Sequence, residues 1–335
     1  MKKKTLKQIV GNIVKTLALP LAVFIILVIS TGGRFANFRI ITTILRQSIV
    51  PAIIAWGLML TFAVGSMNFS AGALVLCSTI IGGNLMKITG TGTIGLVLFT
   101  LAIALLLSIL TGFLYNKMRI PSIVLTIGLV LVFEALPRVF FEGGVVIPSE
   151  ATFLATPPYI FIVLIITLVA FYIIYNRLPF GHNLRALGNN QEIANKVGLD
   201  SDKVKFTCFL ISGVFLGVAA ILYGSTKSEV RNQAALGSMT IMMDAFMGVF
   251  LATFLARFCD LSIAVLISAF TMKMISNGFV AMGLSATVRD ITTGLLLFVL
   301  LAVSANQGLF ERIRENKRIA KEANDKYQQK LAINQ

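Results

Sequence analysis

Charge is the scarcest commodity in this chain. Only 13% of its 335 residues are Asp, Glu, Lys or Arg, whereas a water-soluble fold carries about 25%. With 57% hydrophobic residues and a mean hydropathy of +0.89, a soluble domain is excluded and a polytopic membrane protein is indicated. Metal-ligating chemistry is scarce too. His182 is the sole histidine, and Cys77, Cys208 and Cys259 lie in or beside apolar segments at no metal-like spacing. That argues against a metal or haem site and against disulfides, and leaves the cysteines as small core residues. Catalytic motifs are missing as well. There is no HExxH and no GxSxG. The GSTKS stretch at 224–228 lacks the second glycine of a phosphate-binding loop. If ATP drives this protein, another chain hydrolyses it. Acidic residues number 14 against 29 basic ones, a net charge of +15. In so apolar a chain the excess orients helices in a bilayer and does not point to nucleic acid.

Long apolar runs are what the sequence does have. They fall at about 13–30, 48–66, 70–86, 94–114, 122–140, 159–175, 206–224, 239–256, 261–279 and 287–305, each near the ~20 residues a span needs. The expectation is an all-α protein of about ten transmembrane helices, with a transmembrane domain over 1–305 and a polar, helix-prone tail over 306–335. With the N-terminus inside, 20 of the 29 basic residues fall on cytoplasmic segments and eight outside. This supports a topology with both termini in the cytoplasm. The basic, then apolar, N-terminus resembles a signal peptide but lacks an A-x-A site, so it reads as a retained first helix. Arg34, Arg39 and Arg46 depart from the charge rule, and their segment is expected along the outer interface.

One long polar island interrupts the pattern: LPFGHNLRALGNNQEIANKVGLDSDKVK at 178–205, inside a cytoplasmic loop over 176–205. Counting the flanking Arg177, it carries Arg185, Lys196, Lys203 and Lys205. Pro179, Phe180 and Gly181 are expected to end the preceding helix. Gly188, Asn189 and Asn190 form a turn signal whose asparagine can cap a helix. QEIANKVG then reads as a short helix closed by Gly198. A 28-residue loop with this capping chemistry is an ordered docking surface rather than idle connection.

Other polar residues sit among the apolar runs. In MNFSAGA, Asn68 and Ser70 are N-cap residues for the third span. The positive helix end there can meet a neutral hydroxyl-rich ligand, or the stretch is an ordinary tight turn. Glu134 and Arg138 have i, i+4 spacing and are expected to pair near the outer end of the fifth span, as an outer mouth or as a structural clamp. Lys273 and Asp244 can neutralise each other if their helices touch; otherwise Lys273 snorkels.

The island is similar to the cytoplasmic coupling segment of ribose-type ABC transporter permeases. Phe180, Gly181, Ala186, Gly188, Asn190, Ala194 and Gly198 match that pattern, while His182 replaces an arginine and Asn189 a glycine. The resemblance extends along the chain. Gly65, Ser70, Gly72 and Ala73 match a G-x-I-D-L-S-V-G-A motif, with Asn68 at its aspartate. Ile120, Pro121, Ser122, Thr126 and Gly128 match I-P-S-F-I-V-T-L-G. Met243, Asp244 and Ala245 fit L-D-A, Asn277 and Gly278 fit N-G, and Gly294 with Leu295 fits a late K-G-L. One segment departs: where the family is glycine-rich between its eighth and ninth spans, this chain reads GVFLATFLARFCDLS, with Gly248 alone remaining.

The resemblance implies a permease subunit of an importer in a bacterial inner membrane, moving a small sugar or related polyol, with nucleosides as a close alternative. It implies partners: cytoplasmic ATPase subunits that carry ATP and Mg, a second permease copy or relative, and an extracytoplasmic binding protein. No cofactor is expected on this chain. The implied coupling residues are Gly181, Ala186, Gly188, Asn190, Ala194 and Gly198. Asn68, Ser70, Ser122, Thr126, Glu134, Asp244 and Asn277 mark a candidate substrate pathway. An ion-driven secondary transporter is the competing class; it would need intramembrane carboxylates, for which Glu134 and Asp244 are the available groups.

Overall fold

The structure, a computed structural model, describes residues 6–285 and, beyond them, positions 287, 288, 291, 292, 294, 295, 298, 299 and 302. In chain order the helices are α1 (Leu6–Ser30), α2 (Phe38–Ala63), α3 (Ala71–Thr89), α4 (Gly92–Met118), α5 (Ser122–Phe140), α6 (Ser149–Thr152), α7 (Tyr159–Asn176), α8 (Pro179–Asn189), α9 (Gln191–Lys196), α10 (Ser201–Lys227), α11 (Met239–Leu255) and α12 (Leu261–Ala281). Seven of them, α2, α3, α4, α5, α7, α10 and α12, are long and apolar enough to cross a membrane, and α1 and α11 contain shorter apolar helices. These account for nine of the ten expected spans. The tenth, 287–305, lies for the most part outside the described residues, and the tail over 306–335 lies wholly outside them. Two compact units divide the chain, Met1–Leu284 and Ser285–Gln335. In the second, the Val288 amide donates to Ser285 Oγ at 3.4 Å and Thr292 Oγ1 donates to the Val288 carbonyl, the start of a capped helical turn.

Helix α2 is the axis of the first unit. Every residue from Ser48 to Thr61 is buried, the mark of a helix packed on all sides by other helices. Trp56 is fully buried, and its indole N–H donates to the Ser262 carbonyl at 3.1 Å. The helix begins ten residues before its apolar run, where Asn37 Oδ1 accepts the Arg39 amide at 2.9 Å. Arg39 and Arg46 therefore belong to the first turns of a spanning helix rather than to a segment lying along the interface. Arg46 Nη2 donates to the Ala155 carbonyl at 3.1 Å.

Small residues bring the helices together. Gly213 and Gly217, a GxxxG pair on α10, face α4; added Cβ atoms would strike the Ser108 side chain at the first and Leu101 and Ala104 at the second. Dispersion and interhelical hydrogen bonds drive such packing where lipid offers no hydrophobic gain. Ser108 Oγ donates across the same seam to the Phe209 carbonyl, and Thr79 Oγ1 on α3 donates to the Ala220 carbonyl on α10 at 2.8 Å. Cys77 and Cys208 are buried in this packing and Cys259 is partly exposed; all are free thiols.

A cap that the helical reading did not anticipate covers one end. β1 (Val145–Val146) pairs antiparallel with β2 (Glu229–Val230), and Val145, Ile147 and Val230 pack on Leu76, Ile80 and Leu96. Asn84 Nδ2 donates to the Gly144 carbonyl at 3.0 Å, and Asn232 Nδ2 to those of Phe141 and Glu142. Strands this short, so far apart in sequence, leave no local pattern to read. Replacing Gly213 with leucine forces α10 off α4 and is expected to cost about 1–3 kcal/mol. Thermal unfolding in detergent measures this, and a variant as stable as the parent would show that the seam is not close-packed.

Candidate functional site

Two sites emerge: a platform at one end, and a polar junction among α2, α3, α5 and α11. The platform is the polar island. Pro179 does not end a helix but starts one, at the N1 position of α8, where its missing N–H costs nothing. Gly181 and Gly188 accordingly lie within α8, and the turn falls at Asn190. Asn190 Oδ1 accepts the Ile193 amide at 3.0 Å and caps α9. Gly198 adopts φ +89°, and the Leu199 amide returns to the Ala194 carbonyl at 3.1 Å, a glycine C-cap as expected. Asp200 caps α10 by accepting the amides of Asp202 and Lys203 at 3.1 Å. The Lys203 amide, then its ammonium, hold the Asp200 carboxyl below its ordinary value.

Two of the glycines let backbone segments approach closely. A Cβ on Gly181 would overlap the carbonyls of Ile174 and Tyr175 at the end of α7, and one on Gly188 would overlap the Ala63 carbonyl at the end of α2. Ala194 is buried as well. These residues seat the platform. Ala186 and Asn190 are exposed, and beside them stand Ile193 and Val197, 61% and 74% exposed on the outer face of α9. This apolar pair was overlooked in the sequence, although i, i+4 spacing on an otherwise polar short helix is a legible signal. Arg185 lies over the Tyr175 ring at 5.3 Å, and Lys205 over Tyr115 at 5.9 Å.

At the junction, α2 ends at Ala63 and α3 starts at Ala71. The amides between them need partners, because unpaired backbone buried in a membrane protein is costly. Helix α5 supplies them: the Met67 amide donates to Ser122 Oγ and the Phe69 amide to Thr126 Oγ1, both at 3.1 Å. Asn68 Oδ1 accepts both the amide and the hydroxyl of Ser70, at 3.2 and 2.7 Å. Ser70 stands at the N-cap position of α3, but its side chain makes no cap bond; neither residue caps the helix as expected, and Asn68 instead closes a local turn just ahead of it. Ser122 and Thr126 thus brace the backbone.

Glu134 is 1% exposed. Its carboxylate accepts the Leu236 amide at 3.1 Å and the Ser238 amide at 2.8 Å, clamping the start of α11, where the helix dipole favours negative charge. The expected pairing with Arg138 does not form: Arg138 Nε donates to the Glu134 backbone carbonyl at 3.3 Å. The start of α11 also touches α3, since a Cβ on Gly72 would overlap the Ser238 carbonyl. Two buried atoms on these converging segments, Asn68 Nδ2 and Ser238 Oγ, have no hydrogen-bond partner among the described residues.

Asp244 on α11 and Lys273 on α12 form the expected ion pair. Asn277, one turn beyond Lys273, donates to Gln47 Oε1 on α2 and to the Lys273 carbonyl, both at 2.9 Å. The structure thus groups Asn68, Ser70, Ser122, Thr126 and Glu134 into one bonded junction. Asp244 and Asn277 belong to a separate strip along α12. The divergent stretch after Met247 is filled with aromatic packing: Phe250 meets Phe62 edge-on at 5.4 Å and Phe246 in a stack at 5.8 Å. Gly248 still lies against Ala269, and Asp260 starts α12 by accepting the Ser262 amide while it also accepts Asn176 Nδ2, both at 2.9 Å.

A bundle with seven helices, among the described residues, long and apolar enough to cross a membrane, and with a polar platform seated at one end, has the build of a polytopic membrane protein. Residues 40–303 match the family described as branched-chain amino acid transport system / permease component, and the chain belongs to that family, as a multi-pass protein of the bacterial inner membrane. It is similar to the autoinducer 2 import system permease protein LsrC of Photorhabdus laumondii, 26% identical over 310 residues that cover 88% of this chain and 91% of the relative. The same-named proteins of Photorhabdus luminescens and Yersinia pseudotuberculosis are 25% identical over 297 residues (85% and 87% of the two chains) and 24% over 278 residues (80% and 78%). No solved structure matches the chain significantly.

The clamp reading of Glu134 is open to measurement. Glu134→Gln keeps the shape but loses the charge and one acceptor. It is expected to cost about 1–3 kcal/mol, seen as a lower unfolding temperature, whereas Arg138→Gln changes little. Equal losses in the two variants would restore the ion-pair reading.

Proposed function

We propose that this chain is the membrane-spanning permease subunit of an ATP-binding-cassette importer for a small sugar or related polyol, driven by a separate cytoplasmic ATPase. The observation that carries the reading is the platform. Gly188 seats α8 on the last carbonyl of α2, the helix buried through the middle of the bundle, while Ile193 on α9 and Val197 at its C-cap are left exposed. A push on α9 therefore reaches the central helix through backbone contact rather than through flexible side chains. ATP and Mg act on the partner. Each nucleotide state shifts the balance between inward- and outward-open forms by its differential contacts with the platform. A second permease, identical or related, completes the pathway, and an extracytoplasmic binding protein delivers the substrate at the capped end. The import function named for the relatives favours the importer direction.

The ion-driven alternative has less to work with. Glu134 is committed to two backbone amides, and Asp244 is neutralised by Lys273. For the substrate, the unpartnered Asn68 Nδ2 and Ser238 Oγ are groups that a neutral polyhydroxylated ligand would satisfy.

Two tests follow from these roles. Ile193→Asp with Val197→Asp is expected to lower uptake and transport-coupled ATPase activity of the assembled complex at least tenfold with the subunit still inserted; uptake that needs no ATPase partner at all would defeat the importer reading. Ser238→Ala removes a hydroxyl that bonds to nothing, so it should leave the unfolding temperature unchanged. A weaker apparent affinity in uptake assays then assigns Ser238 to the pathway, and unchanged uptake removes it.

A further inference from the structure

A groove of about 300 Å³ lies between α1, α2 and α12, lined by residues such as Leu21, Phe24, Phe35, Ile44, Phe270 and Met274, and every residue lining it is apolar. Its floor is rigid: Phe35, Ile44 and Met274 are essentially buried and form one cluster with Leu27, and Phe24 packs on Phe35 at 6.2 Å. Its rim is open, with Leu21 on α1 54% exposed. An apolar cavity stays dry and takes apolar guests. Beside a membrane helix, the apolar guest at hand is an acyl chain.

The charge at the end of this groove narrows the guest further. Arg34 precedes the floor residue Phe35 in the turn between α1 and α2, and Arg39 opens α2 two residues before the lining residue Ile41. Both are exposed, and neither has an acidic partner among the described residues. Arg46, by contrast, is engaged at the Ala155 carbonyl. Exposed arginines without an acidic partner among the described residues call for a counter-charge, and guanidinium suits phosphate.

We propose that this groove holds an acyl chain of an anionic phospholipid whose phosphate is met by Arg34 and Arg39. The site is separate from the platform and the polar junction, so it stands or falls independently of the importer reading. It fixes α1 to α2 and α12 through a lipid that fills the groove between them.

The test uses the full-length chain in nanodiscs that mix phosphatidylglycerol with phosphatidylcholine, and reads the lipids retained after extraction by native mass spectrometry. The parent is expected to retain phosphatidylglycerol preferentially. Arg34→Gln with Arg39→Gln should lower that preference roughly tenfold, and the paired lysine substitutions should preserve it. Leu21→Trp, which fills the groove from an exposed position, should reduce the retained lipid of both kinds. Equal retention of the two lipids by the parent, or an unchanged preference in the glutamine variant, overturns the proposal. So does a photocrosslinker at Leu21 that labels a second copy or the chain beyond residue 285 instead of lipid.

Discussion

Backbone that leaves its helix within a membrane protein can bond only to what the protein itself provides. Two breaks in this bundle, the link between α2 and α3 and the start of α11, are held by one helix. From α5, Ser122 and Thr126 receive the amides of Met67 and Phe69, and Glu134 receives those of Leu236 and Ser238. Helix α5 thus works as a rail to which the beginnings of α3 and α11 are fastened, and the contact of Gly72 with Ser238 closes the triangle. A helix that slid past α5 would have to give up several buried hydrogen bonds at once.

The other end of the same mechanical chain is the platform. Where two backbones touch through glycine, as at Gly188 and Ala63 or Gly181 and Tyr175, no side-chain rotamer can absorb displacement. The caps at Asn190, Gly198 and Asp200 stiffen the short helices themselves. The seat is close-packed, while the apolar pair Ile193 and Val197 stays exposed on the outside. The divergence after Met247 fits this picture. Phe250, stacked on Phe246, meets Phe62 edge-on and ties α11 to the same end of α2 that carries the platform. Phenylalanine thus fills the space between α11 and the end of α2.

Much of this was legible in order. Nine apolar runs mark nine helices because a span is a local property of about 20 residues. The caps at Asn190 and Gly198 are legible for the same reason, since donor and acceptor lie within one turn of each other. The pairing of Asp244 with Lys273 followed from the expense of lone charges among apolar helices. Glu134 misled: Arg138 stands one turn away and offers an obvious partner, but two amides 102 and 104 residues distant bind it instead. Gly188 matches a coupling motif, but the motif does not say what its missing side chain admits, which is the end of α2.

The sequence by itself determined the class of protein, the placement of nine apolar helices and the capping at Asn190 and Gly198, because each depends on residues within a turn or a span of one another. Tertiary structure alone decided which backbone Glu134, Ser122 and Thr126 would hold, which way the platform residues face, and that strands at 145–146 and 229–230 would meet. Those outcomes rest on contacts between segments tens to hundreds of residues apart, where the partner of a polar group is set by which helices pack together and not by its neighbours in the chain.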